Sequence, residues 1–189
     1  MSNIKVTDLK KYLANMSKEE LIIEITEIVK HYPDVKEYYT AKLDPKYEEI
    51  AFEKYKKLIT NEFFPDRGFG KLRYSEVNKA IRAFSKICNN AILISKLMLY
   101  YAEIGVDFTD TYGDIDGKFY DTITRAYDKA LSYITENNLK EMFIEDADNI
   151  RQKTKHMGWG FSINMDDVFY DYFYEDEDDE DEDDEEDDM

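Results

Sequence analysis

Residues 91–103 read AILISKLMLYYAE. Apolar side chains stand at Ile92, Leu93, Ile94, Leu97, Met98, Leu99, Tyr100 and Tyr101, so a helix here is apolar almost all round. Such a helix must be covered on most sides, and the pattern places it at the centre of the fold. Ser95 and Lys96 interrupt it, and it is too short to cross a bilayer. It starts at Asn89 or Asn90 and runs through Glu103, with Gly105 as its C-terminal cap.

Helical spacing recurs on both sides of this segment. On the N-terminal side, Thr7 caps a short helix over 8–14, and Ser17 with Glu20 forms a capping-box pattern. Leu21, Ile22, Ile25, Ile28 and Val29 then form one stripe. Pro33 suits the first turn of a helix over 34–42 with Val35, Tyr38 and Tyr39. Asp44 and Pro45 suit the cap and first position of a helix with Tyr47, Ile50, Ala51, Tyr55, Leu58 and Ile59 on one face. The stretch FFPDRGFG, residues 63–70, is a loop whose three Phe pin it to the body. Ser75 caps the next helix, with Val77, Ala80, Ile81, Phe84, Ile87 and Cys88 inward.

On the C-terminal side, residues 107–117 read as a polar loop. A helix with Phe119, Ile123, Ala126, Tyr127, Ala130, Leu131 and Ile134 follows. Asn138 starts another, with Leu139, Met142, Phe143, Ala147 and Ile150. The loop HMGWG, residues 156–160, leads to a last helix with Met165, Val168, Phe169, Tyr172 and Phe173. No period-two alternation is sustained. The fold class is therefore all-α, an irregular bundle or a short stack of antiparallel helical hairpins with about nine helices. The helices on either side of Asn89, and the pair around residue 137, read as consecutive hairpins.

The charge is uneven. Of the chain's 189 residues 43 are acidic and 25 basic, a formal net charge of −18. Residues 175–188 are fourteen consecutive acids; without them 29 acids face 25 bases, a body charge of −4. The expected organisation is one helical domain over 1–174 and a disordered poly-acidic tail over 175–189, because neighbouring carboxylates repel and nothing apolar is there to bury. A single Cys excludes a disulfide framework and fits a reducing compartment, and the N-terminus lacks a signal-peptide run. The expected location is cytoplasmic, with no membrane partner.

No catalytic or cofactor motif stands out. The acids Asp107, Asp110, Asp114 and Asp116 fail both EF-hand registers and read as turn and cap residues. Cys88 reads as core, His31 and His156 as structural or solvated, and Trp159 as a plug in a helix seam between Gly158 and Gly160. The expectation is no cofactor, no metal and no enzymatic activity.

The strongest local anomaly is electrostatic. Between residues 67 and 90 lie six bases, Arg67, Lys71, Arg73, Lys79, Arg82 and Lys86, and one acid, Glu76. Lys79, Arg82 and Lys86 are spaced by three and four and so share one helix face. Arg151, Lys153 and Lys155 form a smaller cluster. Such a face is ordinarily the wet side of a helix. Its functional reading is an anion site for an acidic protein, for nucleic-acid phosphate or for the chain's own tail. The expected function is a non-enzymatic protein-interaction module whose tail modulates binding. The alternative is a nucleic-acid role, by polyanion mimicry in the tail or phosphate binding on the basic face, with steep salt dependence. The sequence leaves the oligomeric state open.

The stretches VTDLKKYLANMSKEELI, FFPDRGFGKLRYSEVNKAI, YYAEIGVDFTDTYGDID and GWGF resemble a family of small bacterial proteins that carry a domain of unknown function. The resemblance covers roughly residues 3 to 174 and implies an all-helical bacterial cytoplasmic protein. It implies no activity, cofactor or site residue.

Overall fold

A computed structural model describes residues 4–44 and 46–174. Pro45, the expected first position of a helix, and the acidic tail over 175–189 lie outside the described residues. Among the described residues there are nine α-helices and no strand: α1 Val6–Ala14, α2 Lys18–His31, α3 Pro33–Leu43, α4 Tyr47–Phe63, α5 Tyr74–Ile87, α6 Ala91–Tyr112, α7 Gly117–Glu136, α8 Lys140–Lys153 and α9 Phe161–Phe173.

Local chemistry accounts for most of the boundaries. The Ser17 hydroxyl accepts from the Glu20 amide while the Glu20 carboxylate accepts from the Ser17 amide, closing a capping box on α2. Asn90 Oδ1 accepts from the amides of Ile92 and Leu93 at the start of α6. Asp116 Oδ1 accepts from the Phe119 amide at the start of α7. Four expected starts differ. Lys5 rather than Thr7 is the N-cap of α1, Lys46 rather than Asp44 is that of α4, Ser75 lies inside the first turn of α5, and Asn138 sits in the left-handed region before α8.

The largest difference concerns α6, which continues through Tyr112. Gly105 is buried mid-helix, and a Cβ there would meet Ile123 Cδ1 at 2.3 Å. Glycine at 105 therefore admits α7 at close range rather than ending the helix. Gly113, at φ 82°, is the terminator. Asp107 and Asp110 are consequently helical rather than part of a loop.

α6 and α7 form the most extensive helix pair, with α4 on α5 and α6, and α9 on α7 and α8. The expected hairpins α5/α6 and α7/α8 make contact but are minor joints. The seven apolar residues expected on α7 are all buried. Phe143, Ala147 and Ile150 of α8 are buried, while Met142 is exposed. Ile50 and Leu58 of α4 are also exposed. Neither α1 nor α2 buries a residue: Ile22, Ile25 and Ile28 face solvent, because α2 packs mainly on α3, itself at the margin.

At one end of the molecule an aromatic chain ties the loops together. Phe63 and Phe64 touch Phe108, which touches Tyr112 and Phe119; Phe119 touches Tyr120, and Tyr120 touches Phe161. Two of the expected loop anchors are thus packed, while Phe69 is 82% exposed and meets the Tyr112 ring edge-on at 6.2 Å between centroids. Trp159, 71% exposed with φ 58°, projects into solvent rather than plugging a seam. Phe161 occupies the buried position instead.

Candidate partner-binding groove

Helix α5 divides its surface sharply. Val77, Ala80, Phe84 and Ile87 are buried, while Lys79, Arg82 and Lys86 rise along the outer side. The three cations are exposed. They rim a groove of about 420 Å³ between α3 and α5. Val35 and Tyr38 of α3 and Ala83 and Ile87 of α5 form its apolar sides, with Tyr55 of α4 also lining it. Asp34 and Glu37 form the acidic rim. A second depression of about 330 Å³, including Leu58, Glu62 and Arg73, shares Tyr55, Lys79 and Ala83 with the first. The two form one trough along α5.

The charges differ in availability. Glu37 is saturated: Lys54 Nζ donates to both its oxygens at 2.8 Å, and the Tyr47 and Tyr55 hydroxyls donate at 3.2 Å. Burial, reinforced by the Glu37 carboxylate, pushes the Tyr55 phenol well above its ordinary range. Lys79 pairs with Glu76 at 2.7 Å. Among the described residues Arg82 and Lys86 form no ion pair, so both retain their full donor capacity.

The other three bases of the segment do not line the α3–α5 groove itself. Arg73 is committed to the fold: its backbone amide, Nε and Nη2 all donate to the buried Glu62 carboxylate, at 3.2, 3.0 and 2.6 Å. Hydrogen bonds from Arg73 hold the Glu62 carboxyl below its usual value despite burial. Gly70 is required in the same turn, since a Cβ would stand 2.3 Å from the Phe63 carbonyl oxygen. Arg67 and Lys71 are exposed on this loop and do not line the groove. The smaller basic cluster is structural in two of its members. Arg151 is buried against Asp148 and Asp166 with its guanidinium over the Phe169 and Tyr170 rings. Lys153 bridges Glu103 and Asp107 at 3.0 and 2.9 Å.

The remaining candidates take local roles. Asp110 meets His156 at 3.0 Å, and Asp114 accepts from the Tyr120 hydroxyl at 2.9 Å. Cys88 is buried at the end of α5, and burial pushes its thiol up to about 11, which leaves it protonated and unreactive at neutral pH. The α3 wall escaped the sequence reading of the site. The Val35–Tyr38–Tyr39 stripe signals an apolar face there, but no spacing rule says which helix that face meets.

Among the described residues, no helix is long and apolar enough to cross a membrane. No curated protein and no solved structure matches the chain. The stretches that carry the resemblance in the sequence meet in the aromatic chain, where Phe63 and Phe64, Phe108 and Phe161 come from three of them. The model of the family of unknown function DUF6155 matches residues 4–174, and the chain belongs to that family.

Proposed function

We propose that the chain is a non-enzymatic interaction module that holds an acidic, amphipathic segment of a partner protein in the α3–α5 groove. One observation carries this reading: Arg82 and Lys86, without ion-pair partners among the described residues, stand beside an open apolar trough. Apolar anchors on a ligand would fill the space between Val35, Tyr38, Ala83 and Ile87. Carboxylates beside those anchors would meet the cations. Arg82 can engage one carboxylate bidentately, while Lys86 acts as a point charge. Helix-in-groove recognition uses the same division, apolar anchors for affinity and charges for register.

The acidic tail fits this reading as an internal competitor. Fifteen residues follow Tyr174. A chain of that length spans at most about 50 Å, against a radius of gyration of about 16 Å for a body of this size. Tethering therefore raises the effective concentration of fourteen carboxylates for a basic surface within that reach. A partner must supply the apolar anchors that the tail lacks in order to displace it.

Fluorescence anisotropy tests the reading. A labelled peptide alternating Leu or Phe anchors with Glu is titrated with the chain ending at Tyr174, and with its Arg82→Glu/Lys86→Glu variant. Binding that falls at least tenfold in the variant supports the groove. Equal affinity for both proteins, or binding only to a duplex DNA control, rejects it.

A further inference from the structure

A second cavity lies on the other side of α5, where α5, α6 and α7 meet. Its volume is about 210 Å³. Ile81, Met98 and Ala126 give it apolar walls. Arg125 and Lys129, one helical turn apart on α7, line it and are exposed. Neither forms an ion pair among the described residues.

Tyr101 supplies the independent observation. It lines this cavity and is only 3% exposed, yet its hydroxyl has no hydrogen-bond partner. Its ring packs on Phe63 at 6.0 Å between centroids. A Phe would pack there equally well and avoid the desolvation of an unmatched hydroxyl. The other buried hydroxyls without partners, on Ser95, Thr124 and Thr135, do not line the cavity. Asn78 also lines it. The Asn78 Nδ2 donates to the Tyr74 carbonyl, which turns its Oδ1 to other partners. The cavity therefore combines cations at solvent, apolar walls and one buried hydroxyl, that of Tyr101, without a partner.

We propose that this cavity binds a small organic carboxylate that bears a hydrogen-bonding group at its far end. The carboxylate pairs with Arg125 and Lys129, the body lies between Ile81, Met98 and Ala126, and the far group meets the Tyr101 hydroxyl. The volume suits a single ring: a cavity of about 150 Å³ already admits benzene. The proposal is independent of the α3–α5 groove, whose cations are not part of this cavity.

The test uses the full chain and three probes, 4-hydroxybenzoate, benzoate and 4-methylphenol, followed by ligand-observed NMR and calorimetry. Saturable binding is expected for both carboxylates, with 4-hydroxybenzoate the tighter and 4-methylphenol the weakest. Arg125→Ala/Lys129→Ala, a surface change, should weaken both carboxylates at least tenfold. Tyr101→Phe should weaken 4-hydroxybenzoate about tenfold and leave benzoate unchanged, the expected signature of one lost hydrogen bond. Absence of saturable binding up to about 10 mM overturns the proposal. So does carboxylate affinity that neither variant alters.

Discussion

Two single residues show how the fold spends its sequence. Gly105 sits inside α6, where alanine would ordinarily be favoured by about 0.5–1 kcal/mol on helix propensity. Against that stands Ile123, whose side chain an alanine Cβ would overlap, forcing the helices apart at a cost of about 1–3 kcal/mol. Packing outweighs propensity, so Gly105→Ala is expected to lower stability in urea unfolding. Ile123→Val added to it should recover part of the loss, since removing the Cδ1 methyl relieves the closest contact. If Gly105→Ala stabilises the protein, the close α6–α7 approach is wrong.

Arg73 shows the same commitment in electrostatics. Glu62 is 7% exposed and depends on Arg73 for its compensation. Arg73→Met keeps much of the side-chain stem but strands the carboxylate, at a cost of about 1.5–3 kcal/mol, the scale of a hydrogen bond to a charged group. The sign with pH follows from linkage. The Glu62 pKa is lowered in the folded protein, so its contribution is fully present above the ordinary value of 4.5 and fades as pH falls below it. The stability gap between the native chain and Arg73→Met should therefore be constant near neutrality and narrow in acid. A gap that widens on acidification would mean that Arg73 works in some other way.

Among the elements, α1 and α2 are the most weakly held. A stripe of five apolar residues in α2 promises burial, but a stripe states only that an apolar face exists. Whether a neighbour covers it is decided by topology, and here α3 gives only partial cover. Removal of residues 1–31 is accordingly expected to leave cooperative unfolding intact and the melting temperature within a few degrees, because no buried side chain is lost among the described residues. Collapse of the cooperative transition would show that these two helices are integral. Legibility at this scale followed local chemistry. The capping box at Ser17, the Asn90 cap and the seven-residue face of α7 are written in short-range patterns and could be read directly. The end of α6 could not, because a glycine that stops a helix and one that admits a neighbour are identical in sequence. Only the contact with Ile123, eighteen residues away, separates the two.

In the whole molecule, the basic segment was visible as composition, and its outer stripe on α5 as spacing. Its division was not. Arg73 is consumed by Glu62, whose partnership crosses a loop, and the groove exists only because α3 folds back against α5. The acidic tail adds a test at this scale. At low salt, the chain ending at Tyr174 should bind an acidic amphipathic peptide at least tenfold more tightly than the full chain. The difference should shrink as added salt screens the tail. Equal affinities at low salt would remove the tail from the account. Amide chemical-shift mapping on the labelled chain ending at Tyr174 locates the binding surface residue by residue. Addition of the peptide should move the amides of Val35, Tyr38, Arg82, Ala83, Lys86 and Ile87 together while those of α8 and α9 stay in place. Shifts centred on any other surface, with these six unmoved, would contradict the account.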